Sequence, residues 1–484
     1  MKMMKPKFIR SVFDKLVQPS SRLFLWGLVL AVLYFSFYLV KIVLLKNDQN
    51  NYPPNSSWAV AVFAGLVVVL LIVYYWSSRV FLEYPKLKLI LFFSAVFSVI
   101  LLFIQPFCSA DLFHYILYPK IVLVYHHNPY ITPLIDYSGD ILFRLGSPIK
   151  MWLNSPLVYG PVWLLLSIVF TFWSLSSVGL ALFSFKLMAT IFFFGCLLLV
   201  YKILDHIGSR NKNLAVALFA WSPLILIESV NNGHNDIVML FFLLLAFFCL
   251  VKEKYFWVLP IIILSILIKY VPIILAPFIF LYLWRRCQRD QKRILIWSVF
   301  FSLSLFVLFY LPFWHGWSTL HGAIFMSVEY NLKGLSILGY IIQPFYEWLK
   351  MDLFFSGLGP LGFISLICRL VFAYFYFYLL FKVRPNNIND LLKLCCWVVG
   401  LVFLTITFYL QPWYFVVPLG LMVLVDSWPK RWFILINLFA FLIYFFFVFE
   451  LFFVFCLFFV LDLYFNWFLI KEIRRIKNVI LVKK

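Results

Sequence analysis

Residues 255–284 read YFWVLPIIILSILIKYVPIILAPFIFLYLW, an apolar run carrying one charge, Lys269. A helical bilayer crossing takes about 20 apolar residues, so the run is too long for one helix. A lone cation in hydrocarbon is costly. Lys269-Tyr270 therefore reads as a break where two short helices meet at one membrane face. Ten further apolar runs flank it, near 23–45, 58–77, 88–107, 178–204, 214–230, 237–252, 294–313, 358–382, 391–426 and 432–470. Run 391–426 breaks at Gln411-Pro412 and run 432–470 at Glu450. The expected fold is an all-α polytopic transmembrane bundle of about 13–14 crossings, one integral membrane domain over 1–484.

Composition agrees. The 484 residues are 65% hydrophobic and 12% charged, with mean hydropathy +1.00, far from the soluble average. A β-barrel would alternate apolar and polar residues in short segments instead. The net charge of +21 is read as cytoplasmic loop charge, with membrane lipids and no nucleic acid as partners. The basic N-terminal stretch is followed by an apolar run too long for a signal-peptide core, hence a retained helix. The eight cysteines lie mostly in apolar runs without ligand spacing, so neither a disulfide framework nor a zinc site is expected.

Most of the 40 Lys and Arg collect in alternate loops and at both termini. This places both termini on the inner, cytoplasmic side of the membrane, expected to be the bacterial cytoplasmic membrane. Segment 161–176 would invert that bias if it crossed, so it is expected to be re-entrant or interfacial. The outer face then receives a first large loop, 108–177, the segment 231–236, the Lys269 turn, a second loop, 314–357, and the Gln411-Pro412 turn.

The polar residues without a topological reason lie on this face. In SADLFHYILYPKIVLVYHHNPY (109–130), Asp111 is either a helix cap with Ser109 or a base whose pKa apolar surroundings raise. His114, His126 and His127 are read as loop and interface residues with no metal. In SVNNGHNDIVM (229–239), Asn231, Asn232, His234, Asn235 and Asp236 exceed what a tight turn and one cap need. They suggest a hydrogen-bonding surface for a polyhydroxylated ligand. Lys269 either snorkels or pairs with a lipid phosphate. Gln411, Trp413 and Tyr414 occupy an outer turn, where Trp and Tyr commonly form an interfacial belt.

The order of these motifs carries a resemblance. Asp111 is followed by NPY (128–130), YGP (159–161), HND (234–236), KYVP (269–272) and PWY (412–414). This resembles the polyprenol-phosphate-sugar-dependent glycosyltransferases of the GT-C superfamily, in particular bacterial α-1,6-type mannosyltransferases and their relatives in GPI-anchor assembly. The match is best over about 105–280. It lacks the second acidic residue that many members carry beside the first. The resemblance implies transfer of a hexose, mannose by family, from a polyprenyl-phosphate sugar to a lipid- or glycan-linked acceptor, with inversion and no cofactor. It implies Asp111 as base and Lys269, with Arg144, at the donor phosphate. Tyr115, Asn128, Tyr130, Tyr159, Asn231, His234, Asn235, Asp236, Gln411, Trp413 and Tyr414 are expected to contact sugar or acceptor.

Two rivals predict other features. A transporter or flippase would show repeated halves and midplane charge. A glycan ligase would carry arginines in a large outer loop, whereas 314–357 holds only Lys333 and Lys350 as cations. The orientation is testable. In a background without native cysteines, Ser138→Cys should react with a membrane-impermeant thiol reagent on intact cells, and Arg210→Cys only after permeabilisation. The opposite pattern contradicts the assignment.

Overall fold

The computed structural model describes residues 18–44, 57–106, 109, 111–141, 153–175, 177–322, 336, 338–339, 342–343, 359–407, 410–426 and 431–449. Arg144, Glu450 and most of the second outer loop lie outside the described residues.

The fold is an all-α bundle, as expected. No strand forms among the described residues; one isolated bridge joins His315 and Trp317. Six helices are long and apolar enough to cross a membrane, or seven if the bent pair 212–220 and 223–231, kinked by 50°, is one span. Several other expected crossings are shorter apolar helices. Helices dominate because the bilayer offers no partner for free backbone N–H and C=O groups.

The elements that position the site are α1 (Leu87–Phe103), α2 (Asp111–Leu123), α3 (Pro161–Phe172), α4 (Val178–His206), α5 (Asp236–Val251) and α6 (Tyr255–Ile266). The long run breaks where expected. Helix α6 ends at Ile266, a 3-10 turn spans Val271–Ile274, and α7 (Ala276–Arg286) follows. Run 391–426 likewise separates into a helix Ile388–Thr405 and a turn Pro412–Phe415. Helix α5 lies between α4 and α6, and the Ser265 hydroxyl donates to Met239 O at 2.8 Å to bind α6 to α5.

Helix α3 has 12 residues, about 18 Å at the helical rise, short of a 30 Å hydrocarbon core. Its first turn abuts the end of α6. The N–H groups of Val162 and Trp163 donate to Leu267 O at 3.0 and 3.3 Å, and Gly160 N–H donates to Ile268 O at 3.3 Å. Each helix thus satisfies orphan groups of the other. This contact explains the glycine of YGP: a Cβ on Gly160 would stand 2.2 Å from Leu267 O.

Aromatic packing completes the core, and two of its polar atoms bond to backbone carbonyls. Trp221 meets Phe81, Phe93 and Phe97 edge-on, and its indole N–H donates to Ile90 O at 3.0 Å. Tyr74 donates to Leu218 O at 2.8 Å.

Gly160→Ala should force the α3–α6 contact apart at a cost of about 1–3 kcal/mol. A lowered melting temperature of the detergent-purified protein checks this; an unchanged one contradicts the contact.

Candidate active site

Helix α2 begins at Asp111, and the Ser109 hydroxyl accepts the Asp111 N–H at 3.1 Å. Ser109 therefore takes the capping role that sequence left open between the two. The Asp111 carboxylate turns to the segment 231–236, with 20% of its side chain exposed. Its Oδ2 lies 3.7 Å from Nδ1 of His234, a side chain with no solvent exposure. Gly233 sets this approach. It adopts φ +67°, a conformation suited to glycine, and a Cβ there would stand 2.9 Å from Leu112 Cδ1.

A π turn, Leu226–Asn231, precedes the segment; π geometry is rare and frequent at functional sites. It directs Glu228 inward. Glu228 Oε2 sits 3.4 Å from His234 Nε2 and accepts from Asn232 Nδ2 at 3.0 Å. His234 stacks on Trp413 with ring centroids 4.0 Å apart at 16°. Neither His234 ring nitrogen has a hydrogen-bond partner among the described residues.

Lys269, in the break after α6, donates to both Asp236 oxygens at 2.8 and 3.0 Å. Its ammonium also lies 4.8 Å from the Tyr414 ring centroid. Tyr115 links α2 to the same cluster: its hydroxyl donates to Asn235 Oδ1 at 3.3 Å and lies 3.4 Å from the Tyr159 hydroxyl. Asn235 Nδ2 is buried without a partner among the described residues.

Burial pushes the Asp111 carboxyl above its ordinary range, while His114 and Lys269 pull it partly back. Burial, then the Lys269 charge, holds His234 well below the usual imidazole value, so it rests neutral. Burial and neighbouring acidic groups keep the phenols of Tyr115 and Tyr159 protonated.

Nine of the expected site residues thus meet in one cluster: Asp111, Tyr115, Tyr159, His234, Asn235, Asp236, Lys269, Trp413 and Tyr414. Gln411 is buried directly before it. Three others have side-chain bonds to backbone. Asn231 Nδ2 donates to Ile104 O at 2.9 Å. Asn128 Nδ2 donates to Phe313 O at 2.7 Å, and its Oδ1 accepts Tyr130 N–H at 3.0 Å. Tyr130 donates to Tyr159 O at 3.0 Å, so NPY braces YGP.

Sequence reading missed Lys186. It is buried in α4, and its ammonium donates to Leu101 O and Leu102 O at 2.6 and 2.8 Å, and to Ile104 O. A cation at the C-terminal end of α1 complements the helix dipole. The signal was available: a charge in an apolar run, as used for Lys269. His114 is a correction. It is buried within α2, one turn along from Asp111, and does not lie in a loop. His126 does lie in the loop, at φ 54°.

Residues 39–285 match the family model described as alpha-(1->6)-mannopyranosyltransferase, N-terminal domain, just over half of the 484 residues. The chain belongs to this mannosyltransferase family. The match spans every cluster residue except Trp413 and Tyr414. No curated protein matches the chain. The protein is an integral membrane glycosyltransferase.

The buried Lys269–Asp236 pair gives a stability prediction. Lys269→Ala leaves a carboxylate with little solvent and should cost about 3–5 kcal/mol. Adding Asp236→Asn should recover most of the loss. Thermal unfolding of both variants checks this; equal loss in single and double variants contradicts it.

Proposed function

We propose that this protein transfers mannose from a polyprenyl-phosphate sugar to a hydroxyl of a lipid- or glycan-linked acceptor on the outer membrane face, inverting the anomeric carbon, with Asp111 as general base. The observation that carries the reading is the meeting of a partly exposed, raised-pKa carboxylate with an ammonium in one cluster. Asp111 Oδ2 lies 3.7 Å from His234, and Lys269 binds Asp236, two residues further along the same segment.

The chemistry needs little more. The acceptor oxygen attacks the anomeric carbon as its proton passes to Asp111, and the carbon–oxygen bond to phosphate breaks on the opposite side. Phosphate leaves readily as an anion, so one carboxylate suffices, whereas glycoside hydrolysis generally uses two. The two contacts to Asp236 engage at most two of the three Lys269 donors. The remaining donor stabilises the charge that develops on the departing phosphate. Asn235 Nδ2, a buried donor without a partner, is suited to a sugar or acceptor oxygen. The Tyr115 and Tyr159 hydroxyls border the same space. Arg144 is a further candidate for the phosphate.

Asp111→Asn should lower transfer from a radiolabelled polyprenyl-phosphate mannose by about 10²–10⁴-fold. Full transfer by this variant would remove Asp111 as base. The base works ionised, and its pKa is raised. Activity should therefore fall as pH drops through a value above the ordinary carboxylate range of about 3.9, and be regained as pH rises. A pH–rate profile whose acid limb lies at or below that range contradicts the assignment.

A further inference from the structure

We propose that His234 is a positioning residue that receives the proton from Asp111, with Glu228 stabilising the imidazolium that results. The inference rests on the reading of Asp111 as base.

Three acid–base groups form a file from the exposed end of the cluster inward: Asp111, His234 and Glu228. The contacts are Asp111 Oδ2 to His234 Nδ1 at 3.7 Å and His234 Nε2 to Glu228 Oε2 at 3.4 Å. Both ring nitrogens face a carboxylate, and both lack a hydrogen bond. A buried imidazole with two unsatisfied nitrogens is costly unless the arrangement serves a state other than the resting one. Protonated, the ring would place one N–H toward each carboxylate. Its face already lies on the Trp413 indole, a surface that favours a cation.

The proton balance is simple. The acceptor O–H proton goes to Asp111 as the glycosidic bond forms and the sugar–phosphate bond breaks, the bonding pair leaving with phosphate. Protonated Asp111 then passes that proton to the Nδ1 lone pair, while Nε2–H points to Glu228. Asp111 is again a carboxylate, and the proton returns through it to water once the products leave. The titratable groups about the ring are Asp111 on α2, with His114 one turn along, Glu228 on the π turn, Asp236 on α5 and Lys269 after α6. Burial and then Lys269 oppose the imidazolium, and the acidic side chain facing each ring nitrogen, at 3.7 and 3.4 Å, offsets part of that, so the ring holds a proton only transiently.

The test is the pH dependence of kcat with saturating donor and acceptor. In the unaltered enzyme Asp111 must be ionised and His234 neutral, so the acid limb of log kcat should approach a slope of two. His234→Gln should lower kcat about 10²-fold, keep both KM values within about threefold, and reduce the slope to one. Glu228→Gln should lower kcat about tenfold with the KM values similarly kept. A slope that stays at one down to the acid end of the profile, below both titrations, in the unaltered enzyme overturns the proposal even if neither variant folds, and so does a slope of two that persists in His234→Gln. Loss of transfer in Asp111→Asn with undiminished kcat in His234→Gln overturns the proton step and leaves the base in place. Transfer retained by Asp111→Asn instead overturns the reading of the base.

Discussion

A carboxylate buried in a membrane bundle needs a cation, and Lys269 supplies it to Asp236. That ion pair ties the break after α6 to the first residue of α5. Much of the site follows from it. The break must occur where the lysine can reach, so α6 stops early and exposes the carbonyls of Leu267 and Ile268. Helix α3 uses those carbonyls to satisfy its own first turn, which sets YGP and Tyr159 beside α2. The same ammonium acts on Asp111 and lies beside Tyr414. Five segments distant in sequence thus meet around one pair.

A second constraint works from the opposite side. The C-terminal carbonyls of α1 point into the protein, where water cannot reach them. Lys186 and Asn231 both donate to them, which anchors the π turn and the segment that carries His234. Gly233 then permits the close approach to Leu112. The polar residues of SVNNGHND thus divide their work. The Asn231 and Asn232 amide nitrogens satisfy interior acceptors, whereas His234 and Asn235 keep ring and amide nitrogens unpaired at the site.

The fold was legible because each apolar run states its own solvent, and the breaks at Lys269 and Gln411-Pro412 were legible as polar interruptions. Asp111, His234 and Lys269 stood out for the same reason. Their partnership was not legible. Asp111 and His234 are separated by more than a hundred positions, and only the tertiary fold brings their side chains together. Lys186 escaped because its run is long enough to cross as one helix, so its charge was not weighed. Glu228 was visible only as a neighbour of the asparagines. Its direction depends on a π turn, and the extra residue in such a turn leaves no mark in hydrophobic periodicity. His114 was misplaced because its neighbours in sequence, unlike those in space, suggest a loop.

The family fixes the reaction class, and the cluster brings a carboxylate, a cation and unpaired ring and amide nitrogens to one place. The proposed roles make a definite geometric claim about the donor. The direct measurement is an experimental structure with a non-transferable phosphonate analogue of polyprenyl-phosphate mannose. The account predicts a phosphonate oxygen within hydrogen-bond distance of Lys269 Nζ. It also predicts the anomeric carbon facing Asp111, with room between them for one hydroxyl. A phosphonate bound away from Lys269, with the sugar remote from Asp111, would contradict it.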